Sequence, residues 1–231
     1  MSNVETDQIL MRLGVAAAAV AAILPLYLIV FGTPLSASNP ADFAQIHTAQ
    51  AFYWRGLLTL LYFPAAICAH YALVTVFQPR MQSLALLGFA FFALGNGIDG
   101  CYRAVQFMLV HYSWGAQWLQ ASDAATREML WQRVVGFSEL APAIQLSFAI
   151  CFGIGRLLMG SAGLRGAGRM QALATLLLLL TGILNLLPWM GRLVGLDGLA
   201  LPFSLYLWIW FFGLCAIAAT LINHLYRSEV N

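Results

Sequence analysis

The chain has 231 residues, of which 61% are hydrophobic and only 9% are charged. Soluble domains carry charge on roughly a quarter of their residues, so this composition excludes an ordinary soluble domain and indicates an integral membrane protein. The formal net charge is +2, and no basic run or basic helix face suggests nucleic-acid binding. All 11 basic residues are arginines. The lack of lysine excludes retinal and pyridoxal Schiff bases and P-loops, since each requires a lysine amine.

Six segments are long and apolar enough to cross a bilayer, because a hydrocarbon core of about 30 Å needs roughly 20 apolar residues per helix. They are approximately residues 11–32, 55–78, 84–112, 131–155, 170–193 and 201–224. The first could instead be a signal peptide, with small residues at 36–38 as the cleavage site. However, Glu5 and Asp7 precede Arg12, and the apolar run exceeds the usual signal core. We therefore predict an all-α bundle of six transmembrane helices, including the first, that forms one domain over residues 1–231.

The arginines set the predicted orientation, because short cytoplasmic loops collect positive charge. One face of a six-span bundle would receive Arg12, Arg80, Arg156, Arg165, Arg169 and Arg227, and the other would receive Arg55, Arg127, Arg133 and Arg192. This bias predicts cytoplasmic termini in a cell inner (plasma) membrane. Residues 156–169 would then form a cytoplasmic connector, whose arginines either set the topology or meet anionic lipid headgroups.

The outer segment "NPADFAQIHTAQAFYW" is predicted to form an interfacial helix over residues 40–54. Asn39 can cap this helix and Pro40 suits its first position. Apolar side chains recur at helical spacing on one face, namely Phe43, Ile46, Ala49 and Tyr53. We expect this face to dip into the membrane or to cover the outer half of the bundle.

Aromatic residues and prolines concentrate in the outer half of the predicted bundle. All the tryptophans lie there, namely Trp54, Trp114, Trp118, Trp131, Trp189, Trp208 and Trp210. The same bias applies to Pro25, Pro64, Pro142 and Pro188, each of which would free a backbone carbonyl in a different span. This pattern predicts an aromatic-lined, partly hydrated vestibule. The alternative is an interfacial aromatic belt with ordinary packing kinks.

The third span carries a polar stripe, because Asn96, Asp99, Arg103 and Gln106 are spaced to share one helix face. Each ionised residue near a helix centre costs about 2.5 to 3.5 kcal/mol on insertion scales, so the stripe should turn away from lipid. Glu139 of the fourth span lies at a matching predicted depth and could complete an Asp99–Arg103–Glu139 triad. The other candidate members of the site are Asn185, Arg192, Arg55 and Tyr62.

Two interpretations of this cluster stay open. It is either a ligand, ion or proton site, since intramembrane ionisable residues are functional candidates, or a polar knot that fixes helix packing. The histidines and cysteines show no spacing for metal or haem ligation, and no nucleophile motif accompanies the acids. We therefore predict no catalytic residue, no metal and no cofactor.

Several motifs resemble a large family of bacterial multi-pass membrane proteins known only as a domain of unknown function. They are "NPADFAQI" in the outer loop, "LALLGFAFFALG" continuing into "IDGCYRAVQ" in the third span, and "GLRGAGRMQALATLLLLLTGIL" at the fifth. The similarity covers most of residues 10–190. The resemblance implies the six-helix architecture, and it implies no activity.

The sequence thus favours a multi-pass membrane protein with an outward-opening polar and aromatic site. This site would bind, and possibly transport or sense, a small ligand or amphiphile. The alternative is a structural or accessory subunit that contacts other membrane proteins, and an intramembrane enzyme comes third. The expected partners are the lipid bilayer, a small amphiphilic ligand and other membrane proteins, and nucleic acid is not expected.

The predicted orientation can be tested with a reporter that is active only outside the cytoplasm. Fused after Asn231, it should be silent, because the arginine excess keeps this end inside. The same reporter inserted in the 112–130 loop is the positive control. Strong activity at Asn231 would reverse the orientation.

Overall fold

A computed structural model describes residues 3–31, 39–77, 79–164, 169–193 and 202–230. These ranges are almost entirely helical and contain no strand. The α-helices are α1 (Asn3–Phe31), α2 (Pro40–Thr48), α3 (Gln50–Thr75), α4 (Gln82–Val105), α5 (Ala116–Gln120), α6 (Ala124–Glu139), α7 (Ala141–Gly163), α8 (Arg169–Leu193) and α9 (Phe203–Val230). A 3₁₀ turn, Pro79–Met81, precedes α4, and a π-helical segment, Gln106–Gly115, joins α4 to α5.

Six helical stretches in the described ranges are long and apolar enough to span a membrane, which confirms the predicted all-α six-helix fold. The chain is therefore a multi-pass membrane protein. Its most extensive helix pairs are α4 with α7, α1 with α3, α7 with α8, and α1 with α9. One apolar core runs through the bundle, with Leu73, Phe92 and Leu214 among its fully buried members.

The third and fourth spans are much longer than a bilayer requires. They comprise Pro79–Gln120, with 42 residues, and Ala124–Gly163, with 40 residues. At about 1.5 Å per residue, each would reach roughly 60 Å, about twice the thickness of the hydrocarbon core. The ends of these spans that meet at residues 121–123 therefore project beyond the membrane. We call this projecting structure, made of α2, the π-helical segment, α5 and α6, the cap.

The cap has a small apolar core of its own. Phe43, Val110 and Val134 are buried together, one from each of α2, the π-helical segment and α6. The surrounding aromatic side chains are Trp114, Trp118, Trp131 and Phe137. Three of the seven tryptophans thus pack against the core of the cap. The concentration of tryptophans in the predicted outer half is therefore partly explained by the packing of this core.

The predicted interfacial helix over residues 40–54 is shorter than expected. Helix α2 ends at Thr48 because Ala49 adopts an extended conformation, with φ of −77° and ψ of 115°, and α3 begins at Gln50. Asn39 caps α2 as predicted, accepting the backbone N–H of Asp42 at 2.9 Å. Phe43 is fully buried, whereas Tyr53 is exposed on α3. The predicted single apolar face is therefore divided between two helices.

The fourth span is divided in the same way. Asp123 caps α6, and its carboxylate accepts the backbone N–H of Thr126 at 2.7 Å, a bond that lowers the pKa of Asp123. Leu140 separates α6 from α7, and Pro142 lies in the first turn of α7, where a missing N–H costs no helical hydrogen bond. The predicted kink at Pro142 is therefore a break between two helices.

The prediction of a cytoplasmic connector over residues 156–169 is wrong for its first half. Residues 156–163 continue α7, and Arg156 is only 3% exposed. Residues 165–168 lie outside the described residues. The helix extends beyond the predicted limit at residue 155 because α7 starts only at Ala141, after the break at Leu140, and its 23 residues therefore end at Gly163. Because Arg156 lies inside α7, it no longer counts among the loop arginines that predict cytoplasmic termini. The difference in arginine number between the two membrane faces is therefore smaller than predicted.

Glycines bring α4 and α7 into close contact. A Cβ atom added to Gly88 would lie 2.7 Å from the backbone nitrogen of Met159, and one added to Gly155 would lie 2.7 Å from the carbonyl oxygen of Gly88. A Cβ atom on Gly95 would meet the backbone nitrogen of Phe152 at 2.8 Å. Small residues allow such backbone approach in membranes, where van der Waals packing drives helix association.

We expect Gly155→Ala to lower the free energy of unfolding by about 1 to 3 kcal/mol, the usual cost of overpacking. Its added methyl group would meet backbone atoms of α4, which cannot yield by changing rotamer. Unfolding of the detergent-solubilised protein by SDS provides the measurement.

Gly97→Ala is the matched control, because a Cβ atom there meets no heavy atom within 4 Å. This variant should be neutral or slightly stabilising, since alanine favours helix over glycine by about 0.5 to 1 kcal/mol. Equal effects of the two changes would contradict a special role for the α4–α7 contact.

Candidate functional site

A cavity of about 300 Å³ lies between the cap and the membrane bundle. Its polar lining includes Arg55 from α3, Arg103 from the end of α4 and Gln106 from the π-helical segment. Three of the predicted site residues thus meet in one cavity, which we call the cap cavity. π-Helical segments are rare and often occur at functional sites.

Asp99 and Arg103 form the ion pair that their spacing predicts. The Nε atom of Arg103 lies 3.3 Å from Oδ1 of Asp99 one helical turn earlier. A second guanidinium nitrogen, Nη1, donates to Oε1 of Gln106 at 3.0 Å, and the guanidinium lies over the ring of Tyr102, 5.3 Å from its centroid. Helix α4 and the segment that follows it therefore hold Arg103 in place.

The depth of this pair explains how lipid tolerates it. Asp99 and Arg103 follow the first residue of α4 by 17 and 21 positions, respectively, which places them about 26 and 32 Å along the helix. A hydrocarbon core is about 30 Å thick. With the start of α4 at one boundary of the hydrocarbon core, the pair reaches the opposite boundary beneath the cap, where the cost of charge is far lower than at the bilayer centre.

Arg55 differs from Arg103 because no described carboxylate pairs with it. Its guanidinium lies 5.7 Å from the centroid of the Phe52 ring, and it experiences the positive charge of Arg103 across the same cavity. Two arginines and one aspartate leave this group with a net positive charge. The cap cavity therefore has the electrostatics of an anion site.

Aromatic side chains form much of the remaining wall of the cap cavity. The rings of Phe52 and His111 lie 4.2 Å apart between centroids, and Tyr102 stacks on Phe137 at 5.3 Å. Phe43 contributes the α2 side of the wall. A cavity with apolar walls and a few convergent polar groups is the usual form of a small-molecule site.

Two predicted site residues lie away from the cap cavity. Glu139 is exposed at the end of α6 and pairs with no arginine in the described ranges, so the predicted Asp99–Arg103–Glu139 triad does not form. The reason is the break at Leu140, which ends α6 beside the membrane boundary. Arg192 is also exposed, and its guanidinium lies over the ring of Trp189 at 4.9 Å.

The remaining three predicted residues belong to the bundle. The side-chain amide of Asn96, fully buried, donates to the carbonyl of Phe92 at 2.8 Å. Tyr62 accepts a hydrogen bond from Nε1 of Trp210 at 3.1 Å, and Asn185 donates to the hydroxyl of Tyr206 at 3.0 Å. The predicted cluster thus divides into a cap cavity group and a bundle group.

Sequence reasoning missed the two most deeply buried ionisable side chains of the bundle. His70 is fully buried in α3, and Arg156 is almost fully buried in α7. The sequence places Arg156 in a loop, because it directly follows the predicted span over residues 131–155. The small residues around it, Gly153, Gly155 and Gly160, were a usable sign of continued close helix packing.

Comparison with known proteins does not assign the chain to a family. No family model matches the chain, no curated protein matches it, and no solved structure matches it. Within the described residues, no group of three or more histidine, cysteine or acidic side chains could hold a metal ion. The case for function therefore rests on the geometry of the chain itself, and the family resemblance stays a prediction.

Arg103→Gln should destabilise the protein by about 1 to 3 kcal/mol, the desolvation cost of a buried polar group left without its partner, because Asp99 would lose its ion-pair partner while only 14% of its side chain is exposed. The double variant Arg103→Gln, Asp99→Asn should recover most of this loss, since it leaves no unpaired charge. SDS unfolding measures both.

Arg80→Gln is the control, because Arg80 is exposed in the 3₁₀ turn at the far end of α4. Its change should stay within about 0.5 kcal/mol. If the double variant is as unstable as Arg103→Gln, the ion pair is not the source of the loss.

Proposed function

We propose that the cap cavity binds a small amphiphile that carries a negatively charged carboxylate or phosphate group. The observation that carries this proposal is Arg55, an arginine in a half-enclosed cavity with no described acidic partner. Asp99 is engaged by Arg103, so Asp99 is not available to neutralise Arg55. An anionic ligand would supply the missing charge, and arginine forks match the oxygen geometry of carboxylates and phosphates.

The shape of the cavity supports a ligand with both polar and apolar parts. Arg55, Arg103 and Gln106 provide the polar side, whereas Phe43, Phe107 and other aromatic residues provide the apolar side. Its volume of about 300 Å³ is at the lower limit for small-molecule pockets. The cavity therefore suits a headgroup and the first part of a chain better than a whole lipid.

The inward direction of these polar groups favours ligand binding over the alternative of an accessory subunit. Polar and aromatic groups that serve a protein partner would form a flat patch on the outside, whereas these converge on a cavity. Under the proposed orientation, with both termini cytoplasmic in a cell inner (plasma) membrane, the cavity opens outward. Transport or sensing of the amphiphile would follow from that position.

The test uses native mass spectrometry of the full chain with dodecanoate, dodecyl phosphate and dodecanol as probes. Dodecanoate or dodecyl phosphate should bind, and dodecanol, which has the same chain without the charge, should bind much more weakly. Arg55→Gln should lower the affinity for the anionic probe about tenfold or more, because a charged hydrogen bond is lost.

Arg192→Gln is the matched control, since it removes an exposed arginine that does not line the cavity. Its affinity for the anionic probe should equal that of the unmodified protein. Equal binding of dodecanol and dodecanoate, or an equal loss in both variants, would contradict the proposal.

A further inference from the structure

Arg156 of α7 is the most unusual charge in the bundle. Its side chain is 3% exposed, and the guanidinium lies over the ring of Phe152, 4.0 Å from its centroid, and 5.6 Å from that of Phe92. No described residue forms an ion pair or a hydrogen bond with it. Arginine keeps its charge in proteins, so a full positive charge is buried among aromatic rings and neutral polar groups. Contact with the rings offsets only part of the cost of removing such a charge from water.

A small cavity lies beside Arg156, near the centre of the bundle. Its polar lining consists of Arg156, His70 from α3, Thr181 from α8 and the indole of Trp210 from α9, and leucines complete the wall. The cavity volume is about 10 Å³, roughly the space of one water-sized particle. We call it the core cavity. It is separate from the cap cavity and shares no lining residue with it.

Two buried polar atoms of these lining residues have no partner in the described structure. They are Nε of Arg156 and Nε2 of His70. Nδ1 of His70 lies 2.7 Å from the carbonyl oxygen of Ala66, so it must donate, and Nε2 is left as an acceptor. Buried polar atoms without partners are rare in folded proteins and call for an explanation. A hydrogen-bond acceptor in the core cavity would provide one for Nε of Arg156.

The charges around the core cavity decide what kind of particle fits. A metal cation would be repelled by Arg156, and no described acidic side chain lines the cavity. A water molecule could accept from Arg156 and donate to His70, but it would leave the positive charge uncompensated. An anion accepts from Arg156 and also compensates its charge. The guanidinium has five N–H donors, and several of them can donate to one anion.

We propose that the core cavity binds one monatomic anion of halide size, held by Arg156. Side chains from four helices line the site, and the low dielectric of a protein interior strengthens the attraction between two opposite charges. The bound anion would thus stabilise the packing of α3, α7, α8 and α9.

Thermal unfolding of the full chain in detergent, in chloride and in gluconate at equal ionic strength, tests this proposal. Chloride should raise the unfolding temperature with the logarithmic concentration dependence of a ligand that binds only the folded state. Gluconate is too large for the core cavity and should have no effect. Iodide should act more weakly than chloride, because it is the larger ion.

Arg156→Gln should reduce the chloride affinity about tenfold or more. The matched control is Arg169→Gln, which removes an exposed arginine at the start of α8 and should keep the full chloride effect. Arg55→Gln should also keep the full chloride effect, because Arg55 does not line the core cavity. The two proposals, for the core cavity and for the cap cavity, are therefore tested independently. Equal unfolding temperatures in chloride and gluconate, or an unchanged chloride effect in Arg156→Gln, would overturn the proposal.

If Arg156→Gln does not fold, the proposal is tested with crystals of the unmodified protein grown in bromide, in which anomalous diffraction locates the bound anion. An anomalous bromide peak in the core cavity is the expected result. A non-anomalous peak with the scattering of water, or an arginine that has turned to donate to His70 directly, would overturn the proposal.

Discussion

The close packing of α4 against α7 is the contact on which both polar regions depend. Gly88, Gly95 and Gly155 allow backbone atoms of the two helices to approach one another, which leaves little space between the two backbones at these levels. The polar groups of α4 are therefore directed elsewhere. Asn96 bonds to its own helix, and Asp99 and Arg103 emerge beyond the last glycine contact, at the base of the cap.

The excess length of two spans converts a simple helical bundle into a protein with a cavity. A hydrocarbon core accommodates about 20 helical residues, whereas Pro79–Gln120 and Ala124–Gly163 have 42 and 40. The additional turns build the cap, and α2 packs against them through Phe43. The cap is stabilised by its own aromatic core. It can therefore keep its structure while a cavity stays open between it and the membrane bundle. The charged lining of the cap cavity thus avoids most of the cost of burial in lipid.

The arginines illustrate two ways to stabilise a positive charge in a membrane protein. Arg103 has an acidic partner one turn away and a second acceptor in Gln106. Arg156 has aromatic rings and a small cavity. The first arrangement is complete within the chain, whereas no described carboxylate pairs with Arg156. Arg55 lies between these cases, since it faces an open cavity where a ligand or water can reach it.

The sequence alone determined the number and type of the spans, because the length and apolar character of a segment decide whether it can cross a bilayer. It also determined the local contacts, such as the Asn39 cap and the Asp99–Arg103 pair, since these depend only on helical spacing. Contacts between helices required the tertiary structure. The positions of the break at Leu140 and of α7 decided that Glu139 is exposed and Arg156 buried. Neither burial nor depth follows from an apolar run, because such a run fixes the length of a helix and leaves its vertical position and its neighbours undetermined.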